Sequence, residues 1–263
     1  SLDYAGAALL CGLGAARAGV GLVVLAVPAA LQAVIAGRVP ELVTVALPEQ
    51  PAGRGSDSIE AAALIDARTP DALVIGCGMA ESEGNRELVL RLLAAPGAAA
   101  VIDGGALNLL ARSGRWWVAN KRDCVLTPHP GEFARIMGTP AGVSDGERSA
   151  SAKAAAERFG QVVVLKGAHT VVATPHGQVA TSPFANPALA TAGSGDVLAG
   201  TIGALMAQRM APFDAARLGV WLHGSAGQRI SERLGDAGLV ASDLPNEIAV
   251  ARHELATGQA TRA

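Results

Sequence analysis

The chain alternates short, almost uninterrupted apolar segments with longer stretches of helical spacing. Strands that are apolar on both faces are typical of parallel sheets, which helices cover on both sides. The alternation therefore predicts an α/β fold with a mostly parallel central sheet. The predicted strands are Val20–Val27, Leu42–Leu47, Ala72–Gly76, Ala99–Asp103, Cys124–Thr127 and Val162–Lys166.

Helical spacing separates these strands, and the pattern changes after Lys166. Two short strands around Pro175-His-Gly177 predict a hairpin, and from Gly193 onward the chain is almost entirely helical. With no internal repeat and no long linker, we expect one domain over residues 1–263. The predicted helices are Ala5–Ala18, Ser58–Arg68, Asn85–Ala94, Gly131–Met137, Ser144–Phe159, Gly193–Ala207, Pro212–Leu234 and Ser242–Leu255; the hairpin strands are Thr170–Thr174 and Gln178–Ser182.

Charge and hydropathy argue against nucleic acid and a membrane as partners. The net charge is −2 and no basic block is present, so nucleic acid is not an expected partner. The segment Val20–Gly37 carries no charge, but Pro28 and Gln32 divide it into a strand and a helix, so we expect no membrane span. The opening Ser-Leu-Asp-Tyr does not resemble a signal peptide, which favours the cytoplasm.

The three cysteines, Cys11, Cys77 and Cys124, are scattered along the chain without metal-ligand spacing. An odd number of separated cysteines is typical of a reducing compartment rather than a disulfide framework. We expect each thiol to be a small core residue.

The segment Thr191–Met206 contains the most informative motif for function. Gly193 and Gly195 free the backbone at the start of an apolar helix, where unpaired N–H groups bind anions. Asp196 lies in the same turn, and an anion site beside one carboxylate favours phosphoryl transfer with Asp196 as the base. The helix N-terminus predicts a lowered pKa for Asp196. The alternative interpretation is an ordinary loop with Asp196 as helix N-cap.

Four further polar or glycine-rich segments follow predicted strands. Ligands bind beyond the carboxyl ends of parallel strands, so we expect these segments to meet the Gly193–Asp196 turn in one cleft. They are Gly76–Gly78, Asp103–Gly105, Thr127–Glu132 and Lys166–Thr170.

Several of these motifs, in this order, resemble the nucleotide-dependent NAD(P)H-hydrate dehydratases, a branch of the ribokinase-like superfamily. The resemblance rests on Tyr4–Leu10, Ala16–Val23, Thr127–Glu132, Lys166–Thr170, Asn186–Gly200, Leu222–Gly227 and Ala241–Leu244. It implies a ribokinase-like three-layer sandwich and repair of the S epimer of hydrated NADH or NADPH. ADP, or ATP in some members, would donate the phosphoryl group, Mg²⁺ would assist, and the protein would be a homo-oligomer, often a tetramer.

The resemblance also implies roles for individual residues. Asp196 would be the base and would contact substrate, and Gly195 would form the anion hole. The nucleotide-contacting loop would comprise Lys166, Gly167, Ala168, His169 and Thr170, and the substrate pocket would include Ala7, Gly78 and His129. Glu132 would hold Mg²⁺ through water, and Asn186 would position the loop before the anion hole.

Simpler interpretations of three of these residues stay open. His129 could be a rigid-loop residue between two prolines, Glu132 the first-turn acid of a helix, and Lys166 a solvated lysine at a strand end. The remaining histidines, including His169, His176 and His223, have no metal-ligand spacing, so no zinc site is predicted from them.

Three departures from the family pattern matter. The family usually has a strand ending in glycine before the segment that opens this sequence at Ser1, so we expect either that the sequence is truncated or that this strand is supplied otherwise. An acid of the family pattern is replaced by Gly105. Ala192 stands where glycine is common, so the anion hole requires a negative φ there. Two other functions remain open: a kinase of small alcohols resembling hydroxyethylthiazole kinase, and a non-catalytic nucleotide-binding relative.

Overall fold

The computed structural model describes residues 3–48 and 57–259. The helices are α1 (Ala5–Arg17), α2 (Ala29–Ala36), α3 (Ser58–Asp66), α4 (Glu83–Ala94), α5 (Gly104–Ala111), α6 (Pro130–Met137), α7 (Asp145–Phe159), α8 (Ser194–Ala207), α9 (Pro212–Leu234) and α10 (Leu244–Thr257). The strands are β1 (Val24–Pro28), β2 (Val43–Leu47), β3 (Ala72–Ile75), β4 (Ala99–Ile102), β5 (Cys124–Leu126), β6 (Val162–Leu165), β7 (Val171–Ala173) and β8 (Val179–Thr181).

Six strands form the central sheet in the order β3-β4-β5-β6-β7-β8. The first four are parallel to one another, and β7 and β8 add an antiparallel hairpin. This topology confirms the predicted α/β fold with a mostly parallel sheet.

Alternate residues of each central strand enter two different cores, which defines three layers. Ala100 and Ile102 pack with residues of α3 to α7, whereas Val101 between them packs with residues of α8, α9 and α10. Strand β6 is buried along its whole length because helices cover both of its faces.

The pair β1–β2 is a separate parallel sheet, and no hydrogen bonds join it to β3 within the described residues. A cavity of about 680 Å³ lies between β1 and β3 and is lined largely by apolar side chains. Consistent with this opening, Leu73 and Val74 of β3 are only half-buried, whereas their partners Ala100 and Val101 in β4 are buried.

Most predicted elements are confirmed, with two differences near the site. Strand β1 begins at Val24 rather than Val20, and helix α5, which follows Asp103, was not predicted. The uncharged segment Val20–Gly37 divides at Pro28 into β1 and α2, as expected. Within 3–48 and 57–259, no helix combines the length and apolar character that crossing a bilayer requires.

Candidate active site

The segments after β3, β4, β5 and β6 meet at one corner of the sheet, as the sequence predicted. Lys166 Nζ lies 2.7 Å from Asp103 Oδ1 and 3.8 Å from Glu132 Oε2. The backbone N–H of Lys166 also donates to Pro128 O at 2.9 Å. The 127–132 and 166–170 segments therefore share this corner, which we call the charged corner: Asp103, Glu132, Lys166 and Asp196.

Asp103 is the central residue of the charged corner, and the sequence analysis gave it no role. Its side chain is buried, and Oδ1 accepts hydrogen bonds from both Lys166 Nζ and Thr127 Oγ1 at 2.7 Å. Burial alone would lower the pKa of Lys166, but the Asp103 and Glu132 carboxylates raise it above its usual value. Lys166 is therefore a firmly protonated cation rather than a solvated lysine. The signal for Asp103 was present in the sequence, since it directly follows a buried strand.

The N-terminus of α8 lies against this ammonium group. Gly193 is the N-cap with φ of +89°, a conformation that favours glycine. A Cβ on Gly195 would lie 3.2 Å from Lys166 Nζ, so the backbone of the turn closely approaches the cation. His223 is buried and its Nε2 lies 3.0 Å from Ser194 O. Burial lowers the pKa of His223 to about 4, so the neutral ring donates from Nε2 and holds the turn.

Asp196 lies in the first turn of α8 and is not the N-cap, because Gly193 occupies that position. Burial raises the pKa of Asp196 to about 6, and the Asp103 carboxylate acts in the same direction. A hydrogen bond from Cys77 and the charge of Lys166 only partly oppose these effects. The prediction of a lowered pKa from the helix N-terminus was therefore wrong, because burial beside a second carboxylate dominates. A pKa near the working pH suits a general base.

His129 and Glu132 cap helix α6 reciprocally. The backbone N–H groups of Gly131 and Glu132 donate to His129 Nδ1 at 3.0 and 3.3 Å, and the His129 N–H donates to Glu132 Oε2 at 2.8 Å. Glu132 is buried, whereas His129 is exposed. Glu132 is thus the first-turn acid of a helix, as the simpler interpretation expected. Its Oε2 also lies 3.8 Å from Lys166 Nζ, so it belongs to the charged corner as well.

Arg148 holds the Lys166–Thr170 loop and was missed by the sequence analysis. Its guanidinium donates to the carbonyl oxygens of Lys166 at 3.0 Å and Leu165 at 3.3 Å. A Cβ at Gly167 would lie 2.2 Å from this guanidinium, so glycine lets the two groups pack. Helix α7, which supplies Arg148, carries no local sequence signal for this contact.

Within the same loop, only part of the predicted nucleotide-binding segment is free for a ligand. His169 Nδ1 lies 3.3 Å from Ser182 O, and Thr170 Oγ1 donates to Gly167 O at 3.2 Å. His169 therefore braces the loop against the end of the hairpin, and Thr170 closes a turn within the loop. Gly167 and Ala168, which directly follow Lys166, are exposed.

Ala7 and Gly78, both predicted for the substrate pocket, lie against each other. A Cβ on Gly78 would lie 2.9 Å from Ala7 Cβ and 2.7 Å from Tyr4 O, and Gly78 has φ of +69°. The departure at Gly105 has a steric reason, because a Cβ there would lie 2.1 Å from Met79 O. No side chain fits at position 105 unless the loop after β3 moves.

The loop leading to α8 also keeps the shape that an anion hole needs. Asn186 Oδ1 accepts the Ala188 N–H at 2.9 Å and its Nδ2 donates to Ser231 Oγ at 2.8 Å, so Asn186 positions this loop. Ala192 is not among the residues with positive φ, which satisfies the condition set by its departure from glycine.

Cys77 corrects the expectation that every cysteine is a core residue. Cys11 and Cys124 are buried, but Cys77 is half-buried at the carboxyl end of β3. Its Sγ lies 4.0 Å from Asp103 Oδ2, and it donates a hydrogen bond toward Asp196. The cysteine therefore belongs to the lining of the site.

The layer order and the mostly parallel sheet define a three-layer α/β protein, and a ribokinase-like superfamily protein of Enterococcus faecalis shares this fold with a TM-score of 0.74 and 22% identity. A family model described as NAD(P)H-hydrate dehydratase matches residues 1–249, and the chain belongs to this family.

Two curated relatives illustrate the match. The chain is 42% identical over 239 residues to the bifunctional NAD(P)H-hydrate repair enzyme Nnr of Moorella thermoacetica, covering 91% of this chain and 45% of the relative. It is 35% identical over 246 residues to the ADP-dependent (S)-NAD(P)H-hydrate dehydratase of Xanthomonas campestris, covering 92% of this chain and 82% of the relative. The chain thus spans about half the length of the bifunctional relatives that it matches.

Among solved structures, the ADP/ATP-dependent NAD(P)H-hydrate dehydratase of Bacillus subtilis, co-crystallised with ATP/Mg²⁺, has a TM-score of 0.78 and 31% identity. The superposition covers 94% of this chain and 84% of that one.

Proposed function

We propose that this protein dehydrates the S epimer of hydrated NADH or NADPH at the expense of ADP, giving NAD(P)H, AMP and phosphate. One observation carries the proposal: the Asp196 carboxylate and the Lys166 ammonium group flank the N-terminal turn of α8. A base, a cation and unpaired helical N–H groups in one corner are the components that phosphoryl transfer to an alcohol requires. Family membership narrows the alcohol to the hydrated nicotinamide ring.

Asp196 takes the hydroxyl proton as the oxygen attacks the terminal phosphorus of ADP, and AMP leaves. The phosphate of the resulting ester then departs with the C–O bond electrons, driven by the lone pair of the ring nitrogen, and loss of a proton from the adjacent ring carbon to solvent restores the nicotinamide double bond. Hydroxide leaves poorly whereas phosphate leaves readily, so a kinase fold can perform a dehydration. The raised pKa of Asp196 makes it a better proton acceptor than an ordinary aspartate.

Lys166 and the exposed backbone of Gly167 and Ala168 supply the nucleotide side of the site. The ammonium group offsets phosphate charge, and Arg148 keeps the loop in place from behind. The small residues Ala7 and Gly78 allow the bulky dinucleotide to approach the backbone beside Cys77.

The donors of the charged corner also fit the Mg²⁺ that phosphoryl donors carry. Mg²⁺ prefers carboxylate oxygens and retains several waters. Glu132 already accepts a hydrogen bond from His129 and lies 3.8 Å from Lys166 Nζ, which favours contact through water rather than direct ligation. Bound there with the nucleotide, Mg²⁺ would supply charge neutralisation at the phosphates.

The decisive experiment incubates the protein with hydrated NADH and ADP, with ATP in a parallel reaction, and follows the absorbance of reduced nicotinamide. A rise with ADP supports the proposal, and the ratio to ATP fixes the donor. Turnover of a thiazole alcohol with ATP, and none of hydrated NADH, would instead identify a small-alcohol kinase. Tight AMP binding without any turnover would identify a non-catalytic relative.

We extend the proposal to the setting of the enzyme. The free thiols suit a reducing cytoplasm, and we propose a homo-oligomer, often a tetramer, as the resemblance implies. Sedimentation velocity of the purified chain measures the oligomeric state directly, and a single boundary at the monomer mass would reject the homo-oligomer.

A further inference from the structure

The side of the charged corner nearest β3 carries a group of donor atoms that the proposed reaction does not use together. One ligand atom each from Cys77, Asp103 and Asp196 lies within 4.8 Å of the other two. Cys11, from α1, lies within hydrogen-bonding reach of the Cys77 thiol, and neither cysteine forms a disulfide. Two sulfurs and two carboxylates thus face one small space.

The two oxygens of Asp103 have different surroundings. Oδ1 accepts from Lys166 and Thr127, whereas Oδ2 faces only Cys77 Sγ, at 4.0 Å, among the hydrogen bonds of the described residues. Metal bonds of about 2.3 Å to sulfur and about 2.0–2.2 Å to oxygen place tetrahedral donors roughly 3.6 Å apart. The three donor atoms lie within 4.8 Å of one another, so a contraction of at most about 1.2 Å would bring them to zinc geometry.

Charge and donor type agree on the kind of ion. Three carboxylates and one ammonium group leave the charged corner with two negative charges when all are ionised. A carboxylate-only site suits Mg²⁺, but thiolate donors select a softer cation such as Zn²⁺. The thiol of Cys77 has a pKa well above its usual value, because Cys11 hydrogen-bonds it and burial disfavours the thiolate. The protonated thiol is a poor nucleophile, so Cys77 is a poor target for oxidation by peroxide. A metal ion can still bind the sulfur, because it displaces the proton.

We propose that Cys77, Asp103 and Asp196, with Cys11 as a fourth donor, form a binding site for a thiophilic divalent cation of the Zn²⁺ type. Binding releases the Cys77 and Cys11 protons to solvent as the two metal–sulfur bonds form. The ion occupies the Asp196 carboxylate and so inhibits the enzyme, an inhibitory role that rests on the proposed function. The metal site itself does not depend on that function.

Cobalt titration of the whole chain, without nucleotide or substrate, tests the site. Co²⁺ bound to a thiolate gives a charge-transfer absorption in the near ultraviolet, and the wild-type protein should show it with one equivalent of metal. Cys77→Ala should abolish the absorption, and Cys124→Ala, which removes a buried thiol outside the cluster, should retain it. A wild-type protein without this absorption, or a Cys77→Ala protein that keeps it, overturns the proposal.

A second variant keeps the test decisive if Cys77→Ala fails to fold. Asp196→Asn retains both thiols but removes a carboxylate donor, and it should weaken Co²⁺ binding by about tenfold or more. Unchanged affinity in this variant would exclude Asp196 as a ligand and overturn the site as drawn.

The inhibitory role is tested separately. Zn²⁺ added to the hydrated-NADH assay at fixed excess Mg²⁺ should reduce turnover, and Cys77→Ala should lose this sensitivity relative to its own metal-free rate. Cobalt binding with no zinc inhibition overturns the inhibitory role alone. A wild-type protein without dehydratase activity refutes the proposed function but leaves the cobalt result to decide the metal site.

Discussion

Two neighbouring regions of the molecule differ in polarity. The corner at the carboxyl ends of β3 to β6 carries charged side chains, whereas the opening between β1 and β3 is apolar. In the charged corner, buried carboxylates and an ammonium group compensate one another at 2.7–3.8 Å. The opening is lined largely by apolar side chains, and the half-buried strand β3 borders it. Paired strands therefore fix the electrostatics of the site, whereas we expect the apolar opening to affect stability more than chemistry. Gly76 to Gly78 lie between the two regions.

Asp196→Asn is expected to cause the largest change, and it acts only in the charged corner. Removing the general base should lower turnover of hydrated NADH by about 10²–10⁴-fold, while ADP binding stays largely unchanged. Asp145→Asn, at the exposed first turn of α7, is the matched control and should keep full activity. Steady-state rates and calorimetric ADP titration measure both quantities. Undiminished turnover in Asp196→Asn would remove Asp196 from the base role.

Lys166→Met tests whether the ion pairs of the corner serve binding as well as stability. The variant leaves Asp103 buried without its ammonium partner, which should cost about 3 kcal/mol of unfolding free energy, the lower end for buried pairs because 18% of the lysine side chain is exposed. ADP and AMP should also bind more weakly. Lys153→Met on the exposed face of α7 controls for the loss of one positive charge. Unaltered nucleotide affinity would limit Lys166 to a structural role.

The two regions also differ in how well sequence predicted them. The apolar period and the strand composition were enough to predict β3 to β6, because each of these strands is continuously apolar. The polar residues that follow each strand were enough to predict that their loops meet. Side-chain contacts between distant elements were not predictable. Arg148 contacts the Lys166 loop from α7. Cys77, Asp103 and Asp196 belong to three different parts of the chain and come together only in the fold. The prediction of the Asp196 pKa failed for the same reason: burial raises this pKa most, and the Asp103 carboxylate that also raises it is 93 positions away in the chain. The site roles of His129, Ala168 and the other matched residues stay predictions.

The pH dependence of activity and of stability should run in opposite directions because of Asp196. The ionised carboxylate is the active base, so turnover should rise as pH passes about 6. The folded protein holds this proton up to about pH 6, whereas the unfolded chain loses it near pH 3.9. The unfolding free energy should therefore fall by about 2–3 kcal/mol between about pH 4 and pH 6.

Asp196→Asn removes this titration, so its stability should change less over the same interval and should exceed that of the wild type at pH 8. Urea unfolding at several pH values measures the difference. Equal slopes for the two proteins would mean that Asp196 titrates normally in the folded state.

The smallest expected effect belongs to the opening between β1 and β3. Its two bordering strands have five and four residues, so one extended segment of that length would pair with both. A Val- and Ile-rich segment fused ahead of Ser1 through a short Gly-Ser linker should raise the unfolding free energy by about 1 kcal/mol, because burial of its side chains slightly exceeds the entropy cost of ordering it. The same fusion with Ser and Thr at the apolar positions is the control for length. If both fusions have the same stability and both leave turnover unaltered, the cavity does not accept a strand, and the contrast between the two regions reduces to charge alone.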